Sequence, residues 1–260
     1  MSSGDRWVLR ARVVGAAVVV IVGLSATPSA GAGGPLTPTA AGWSAPVAIA
    51  GGSGADGDVA LSADGTVGFA ASVWSDRISS EVRVARWVAG TWSAAVPVAP
   101  GPADDVRLAV SSDGSRALVV WSPTEGTPCV CAVWWDGSAW GPPVDVAAGT
   151  ASLQTDPSVS LSGDGATALV AWGGTGWSRA PVRVAVGRDG SWATPEVLGG
   201  VGKDIDDAVV AISRSGTSAV VAWGESNPVQ PWAAAVRASV WDGAGWGPST
   251  LLAHDALFPQ

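Results

Sequence analysis

Apolar residues along most of this chain fall in short Val- and Ala-rich runs separated by clusters of Gly, Asp, Ser and Pro. Runs of roughly five to eight residues, rich in β-branched side chains and bounded by turn formers, predict strands rather than helices. The first thirty or so residues read differently: Arg6, Arg10 and Arg12 precede an uncharged stretch from Val13 to Leu24, and small residues and Pro follow. Beyond about residue 40 the pattern predicts an almost wholly β chain.

The strand signal is periodic. Trp43, Trp92, Trp140, Trp192 and Trp246 each open a similar segment, such as WSAPVAIA or WGPPVDVA, at spacings of 49, 48, 52 and 54. Within each interval an Asp stands six residues before a Ser: Asp56/Ser62, Asp105/Ser111, Asp156/Ser162 and Asp207/Ser213. That Ser opens a turn S-x-D-G, except that the fourth copy has Ser215-Gly216 in place of Asp-Gly. An apolar strand follows and ends on Trp74, Trp121, Trp172 or Trp223; next come a loop of variable length and a strand centred on V-R-V-A or a variant of it. Each repeat therefore holds four strands, the last opened by the periodic Trp.

Four strands in about fifty residues make the blade of a β-propeller, and a blade with two apolar faces must stack on neighbours to bury them. The expected fold is an all-β, propeller-like array of four-stranded antiparallel blades, about four blades plus one surplus strand. Either Trp43–Ala50 or Trp246–Ala253 is surplus to a closed ring, and an open end leaves an edge for self-association. Over residues 43–252 the array resembles the sialidase-repeat and TolB- or WD40-like propellers of secreted bacterial proteins. Its turns SADGT, SSDGS and SGDGA place Gly directly after Asp, closer to the S-P-D-G of TolB-like blades than to the sialidase Asp-box.

The amino-terminal stretch changes the picture of where the chain works. Its apolar run of 12 residues is too short for a membrane span, which needs about 20, and Ala30-Gly31-Ala32 supplies a cleavage site. Residues 1–32 read as a signal peptide, 33–42 as a linker and 43–260 as the repeat domain, with repeats starting near Trp43, Trp92, Trp140 and Trp192 and a partial unit from Trp246. The protein is expected to be secreted, with no membrane span after cleavage. Losing Asp5, Arg6, Arg10 and Arg12 moves the formal charge from −8 to −10. An acidic chain without a Lys/Arg cluster excludes nucleic acid as a partner, because that affinity depends on cations displacing phosphate counterions. Cys129 and Cys131 are spaced either for a strained disulfide or for two thiols, and no further Cys or neighbouring His completes a zinc site, so no metal or cofactor is expected.

Catalytic chemistry finds little to work with. The one His, His254, lies near the carboxyl terminus, and the chain has no Tyr, the nucleophile of sialidases. The repeated Asp56, Asp105, Asp156 and Asp207 form either an acidic ring able to hold a cation or a set of carboxylates bonding their own turn amides. Arg83, Arg183 and Arg237 align on the third strands, where they would stack on Trp or pair with a neighbouring blade's Asp.

Function is expected on the connections between second and third strands, Ser75–Glu81, Ser122–Thr127, Gly173–Pro181 and Gly224–Pro231, which vary between repeats on a uniform frame. Of the 16 Trp, twelve are explained by the repeat and Trp7 lies in the leader. Trp134 adjoins Trp135 on a strand and reads as interblade core. Trp177 and Trp232 fall on the variable connections, beside Arg179 and near Glu225, Asn227 and Gln230. A flat apolar ring flanked by amides and charges suits a sugar, whose C–H face stacks while its hydroxyls find hydrogen bonds. The expected ligand site is Trp177, Arg179, Trp232, Glu225 and Asn227, with Asp76 and Glu125 on neighbouring loops. The expected function is a non-catalytic binding module for a glycan or a surface protein. A glycoside hydrolase or polysaccharide lyase on the same scaffold, and a truncated propeller without ligand, are the alternatives.

Overall fold

A computed structural model describes residues 19–20, 47–48, 56–76, 78–126, 128–146, 155–174, 180–227 and 230–254; among them every regular element is a strand. Blade I comprises β1 (Gly57–Leu61), β2 (Val67–Ser75), β3 (Ser80–Val88) and β4 (Val96–Pro100). Blade II comprises β5 (Ala103–Val110), β6 (Ala117–Pro123), β7 (Cys131–Trp135) and β8 (Val144–Asp145). Blade III comprises β9 (Thr155–Leu161), β10 (Thr167–Gly173), β11 (Val182–Arg188) and β12 (Glu196–Gly199). Blade IV comprises β13 (Asp204–Ile212), β14 (Ala219–Asn227), β15 (Gln230–Trp241) and β16 (Thr250–His254). All neighbours within a blade pair antiparallel, in chain order from the inner to the outer strand.

Local chemistry sets the corners. In the turn joining β1 to β2, the Ser62 hydroxyl donates to Asp64 and accepts from the Val67 N–H, while Asp64 accepts from Thr66 and Gly65 takes φ +73°. The corresponding atoms of Ser111/Asp113 and Ser162/Asp164 repeat the arrangement. In the fourth turn the Ser213 hydroxyl bonds the Thr217 and Ser218 amides, and Ser215 stands in for the carboxylate. These turns also join the blades: the amides of Ala63, Ser112 and Gly163 donate in succession to the carbonyls of Ser112, Gly163 and Arg214.

The periodic Trp opens the outer segment of each blade opposite the residue five positions earlier. Trp87 meets Trp92, Trp135 meets Trp140 and Trp241 meets Trp246, with ring centroids 5.5, 5.6 and 6.4 Å apart. In blade III the earlier residue is Gly187, and a Cβ there would sit 2.8 Å from the Trp192 ring, so the glycine makes room for the indole. Trp134 packs on Trp192 of the next blade at 6.0 Å, an interblade position as its alternation with Trp135 predicts.

Three buried clusters lie between blades I and II, II and III, and III and IV. Each joins the back of one blade to the front of the next. The III/IV core shows the scheme: Leu169, Ala171, Val182 and Val184 from the back of blade III meet Val210, Val221, Trp223 and Trp241 from the front of blade IV. Among the described residues each of these cores joins one blade to its successor, and none of them joins blade IV to blade I.

Two readings from sequence change here. The surplus strand is resolved in favour of the amino-terminal one, since Thr250–His254 pairs with β15 and completes blade IV, whereas Val47–Ala48 pairs with Val19–Val20. Trp74 is not the counterpart of Trp121, Trp172 and Trp223. Opposite Arg183 and Arg237 stand Trp172 and Trp223, but opposite Arg83 stands Ser72, and Trp74 lies two residues further on, opposite Glu81. The spacing from turn Ser to Trp, 12 in blade I and 10 in the others, carries this shift.

Candidate functional site

Two places at the loop end of the blades gather polar side chains. The first lies where the inner strands begin. Asp105, Asp156 and Asp207 adopt φ of +54°, +56° and +42°, and in each of β5, β9 and β13 the pairing register shifts at this point. Asp is among the residues that best tolerate this left-handed conformation, so a bulge accounts for its recurrence there. Asp56 opens blade I without either feature.

These carboxylates clasp the next blade. Asp56 accepts from the Gly57 amide at 2.9 Å and from the Val106 amide at 2.8 Å, and Asp105 accepts from the Asp156 amide at 3.1 Å. Asp58 accepts from the Leu108 amide at 2.9 Å, and the Ser158 and Ser160 hydroxyls take the same role toward Val210 and Ile212. Arg107, absent from the sequence-based site, lies among the acids: its guanidinium contacts Asp156, reaches Asp56 at 3.3 Å and approaches Asp105 at 3.9 Å. Burial pulls the Arg107 pKa down, but the carboxylates of Asp156, Asp56, Asp105 and Asp58 outweigh it and raise it overall. Burial lifts the Asp105 carboxyl above its ordinary range, and the neighbouring Asp156 and Asp56 add to the effect. Neither expectation for the acidic ring holds alone: one oxygen of Asp56 serves its own turn, while its other oxygen and Asp105 bind amides of the following blade and Asp156 meets the Arg107 guanidinium. Among the described residues no group of three or more His, Cys, Asp or Glu is placed to hold a metal.

The second place is the set of connections between second and third strands. In blade I it is a tight turn of Asp76–Ser79, shorter than expected: the Asp76 carboxylate accepts from the Ile78 and Ser79 amides, which lowers its pKa, and leaves the Ile78 side chain 95% exposed. Just inside it Trp74 is half-buried, with the Arg83 guanidinium 3.9 Å above its ring and Glu81 paired to Arg83. In blade II, Glu125 is exposed in the turn after β6, and Cys129 and Cys131 form a disulfide at the start of β7. In blade IV the expected loop Gly224–Pro231 is mostly strand, because β14 and β15 stay paired out to Asn227 and Gln230. Glu225 is buried there, accepting from Arg237 Nε at 2.7 Å and from Trp223 Nε1 at 3.3 Å.

Of the residues expected to bind ligand, Asp76 and Glu125 lie at this end and exposed, Asn227 ends β14, and Glu225 is committed to Arg237 and Trp223. Trp177 and Arg179 lie outside the described residues. Trp232 is on β15, its side chain likewise outside them. The aligned Arg83 and Arg237 pair with a Glu of their own blade, not with a neighbour's Asp. Arg183 has no such Glu: Gly174 follows Trp172 by two residues where Glu225 follows Trp223, and Arg183 Nε and Trp172 Nε1 are buried without an acceptor. Arg83 stacks on a Trp, one of the two roles expected of it, but the two-residue offset hid Trp74 itself among the packing indoles; the count from the turn Ser would have exposed it.

No protein-family model matches the sequence, and no curated protein matches it. Among solved structures it is similar to TolB from Acinetobacter baumannii, at 14% identity and a TM-score of 0.46 over 84% of this chain and 47% of that one. It is similar to AofleA from Arthrobotrys oligospora, at 15% identity and 0.47 over 72% and 53%. A xylan beta-1,4-xylosidase from Bacillus halodurans C-125 aligns at 15% identity and 0.45, over 78% of this chain and 46% of that one. The chain thus spans about half the length of these three proteins.

Proposed function

We propose that the chain is a secreted, non-catalytic binding module that holds a glycan on the loop end of its blades. The observation that carries this reading is Trp74. In blades II to IV the closing indole is driven into an interblade core, with Trp121, Trp172 and Trp223 at most 4% exposed. In blade I the indole stands two residues nearer the loops and half-buried, bordered by Arg83, Glu81 and the Asp76 turn. With the Arg83 guanidinium over one face of the indole, the ring's remaining exposed surface offers a sugar an apolar contact, and the guanidinium and carboxylate beside it offer hydrogen bonds.

A glycan array and pull-down with cell-wall polysaccharides test the reading, alongside an assay for release of reducing or unsaturated ends from the same polymers. The expected result is binding without turnover, weakened at least tenfold by Trp74→Ala and by Arg83→Ala. Binding that is unchanged in Trp74→Ala but lost in the Trp177→Ala/Trp232→Ala pair moves the site to the later blades. No binding to any polymer overturns the proposal in favour of a propeller without a glycan ligand. The hydrolase reading draws on one feature, the raised Asp105 carboxyl beside Asp56, Asp156 and Arg107. It requires product release that is abolished by Asp105→Asn.

A further inference from the structure

Arg83, Arg183 and Arg237 occupy one position of the repeat, and Arg183 is left without a counter-charge. In blade IV, Trp223 stands opposite Arg237, and the carboxylate of Glu225, two residues beyond the indole, bridges them. One of its oxygens accepts from Arg237 Nε at 2.7 Å and the other from Trp223 Nε1 at 3.3 Å. In blade I the acid comes from the facing strand instead, where Glu81 stands two residues before Arg83 and pairs with it. Blade III repeats the donors and omits both acids. Trp172 stands opposite Arg183 as Trp223 does opposite Arg237, but Gly174 takes the place of Glu225 and Pro181 that of Glu81. The sequence from Trp172 to Arg183 contains no Asp or Glu.

The donors themselves bear the consequence. Trp172 is 1% exposed and its Nε1 has no acceptor, and Arg183 Nε is likewise shut from water and unpartnered. Among the described residues Arg183 takes part in no ion pair. Such groups are costly, because each gives up its hydrogen bond to water, and a guanidinium without a counter-ion gives up more. The indole N–H groups of Trp134, Trp135, Trp192 and Trp246 also lack acceptors, but of these five only Trp172 faces an arginine across its own sheet. Arg183 as a whole is half-buried, so its side chain is open to solvent.

We infer that blade III holds a carboxylate-binding site, in which a ligand's carboxylate takes the place that Glu225 fills in blade IV, one oxygen on Arg183 Nε and the other on Trp172 Nε1. This goes beyond the glycan reading and stands whether or not Trp74 binds a sugar. The class of ligand follows from the blade IV counterpart: two donors on either side of one planar group use both oxygens of a single carboxylate, and a charge-assisted bond to arginine is the stronger of the two.

Isothermal titration calorimetry of the full chain with sodium glucuronate tests this, with glucose as the uncharged control, acetate as the bare carboxylate and inorganic phosphate as a different anion. Expected are saturable binding of glucuronate and none of glucose. Arg183→Gln and Trp172→Phe should each raise the dissociation constant at least tenfold, and Gly174→Glu should abolish binding by supplying the carboxylate from within. Acetate that competes with glucuronate supports a site for the carboxylate alone, and acetate that does not supports one that also recognises the sugar ring. Circular dichroism confirms the fold of each variant. If Arg183→Gln does not fold, Gly174→Glu decides: glucuronate should raise the melting temperature of the wild type and leave that of Gly174→Glu unchanged. Absence of saturable binding for both glucuronate and acetate, phosphate binding as tight as that of glucuronate, or binding unchanged in Arg183→Gln or Gly174→Glu overturns the proposal.

Discussion

The two ends of the array carry equivalent sheets and treat them in opposite ways. At the front of blade I, Ala70, Ser72 and Ala85 are covered while Leu61 is half-exposed, and the Arg83 guanidinium lies over one face of Trp74. At the back of blade IV a row of valines is bare. Between them every junction is alike, an apolar core with side-chain clasps on backbone amides. A repeat protein is stabilised mainly by nearest-neighbour interfaces, so its terminal units are where sequence departs from the repeat. Here blade I has Ser72 where the other three blades carry their wedge Trp, and blade IV has Val209 and Ala211 at the positions that hold Ser158 and Ser160 in blade III alone.

The largest expected effect separates the two indoles. Trp223→Ala empties the III/IV core, where the ring is 1% exposed, and should cost about 3–5 kcal/mol. Trp74→Ala removes a half-buried ring and should cost no more than about 2 kcal/mol. Urea titrations followed by circular dichroism measure both; equal losses would mean that the front of blade I is as integral as an inner junction.

A smaller difference should separate the two carboxylates. Glu225 is buried against Arg237 and Trp223 Nε1, so Glu225→Gln leaves a guanidinium without its counter-charge and should cost about 1–3 kcal/mol. Glu81 is more exposed, and Glu81→Gln should cost less than about 1 kcal/mol. Thermal melts of the pair at one pH give the comparison.

Acid should distinguish the ends most subtly. Asp64 is held at about 2, first by the Ser62 hydroxyl and then by the Thr66 amide. Asp113 is lowered first by the Ser115 amide and Asp164 first by the Ser162 hydroxyl. These groups have depressed folded-state values, so their stabilisation is present above the unfolded pKa near 3.8 and is lost as pH falls toward about 2. The fourth turn has Ser215 instead and nothing to titrate. Hydrogen exchange at pH 5 and pH 2.5 should show lost protection at the Thr66, Ser115 and Ala166 amides, with Thr217 and Ser218 unaffected.

Much of the fold was legible because it is written in local chemistry. S-x-D-G imposes a turn, a β-branched run imposes a strand, and the fifty-residue period imposes a blade. Even the repeated Asp was visible, although its reason, a bulge with positive φ in blades II to IV, needed the register. The candidate site was less legible. Arg107 sits on an inner strand in an ordinary strand pattern, and only the meeting of three blades puts it among Asp56, Asp105 and Asp156. Glu225 looked like a free loop carboxylate because the sequence near Asn227 resembles a loop, whereas cross-strand pairing extends the hairpin past it.

The sequence by itself determined the strands, the turns and the number of blades, since each depends on residues within a few positions of one another. Tertiary structure decided which indole plugs a core and which stands at the loop edge, because a two-residue offset matters only against the facing strand. It also decided which acids are neutralised and which apolar face stays open. Alternation marks both sides of a blade as apolar, and only the presence or absence of a neighbouring sheet makes one of them core and the other surface.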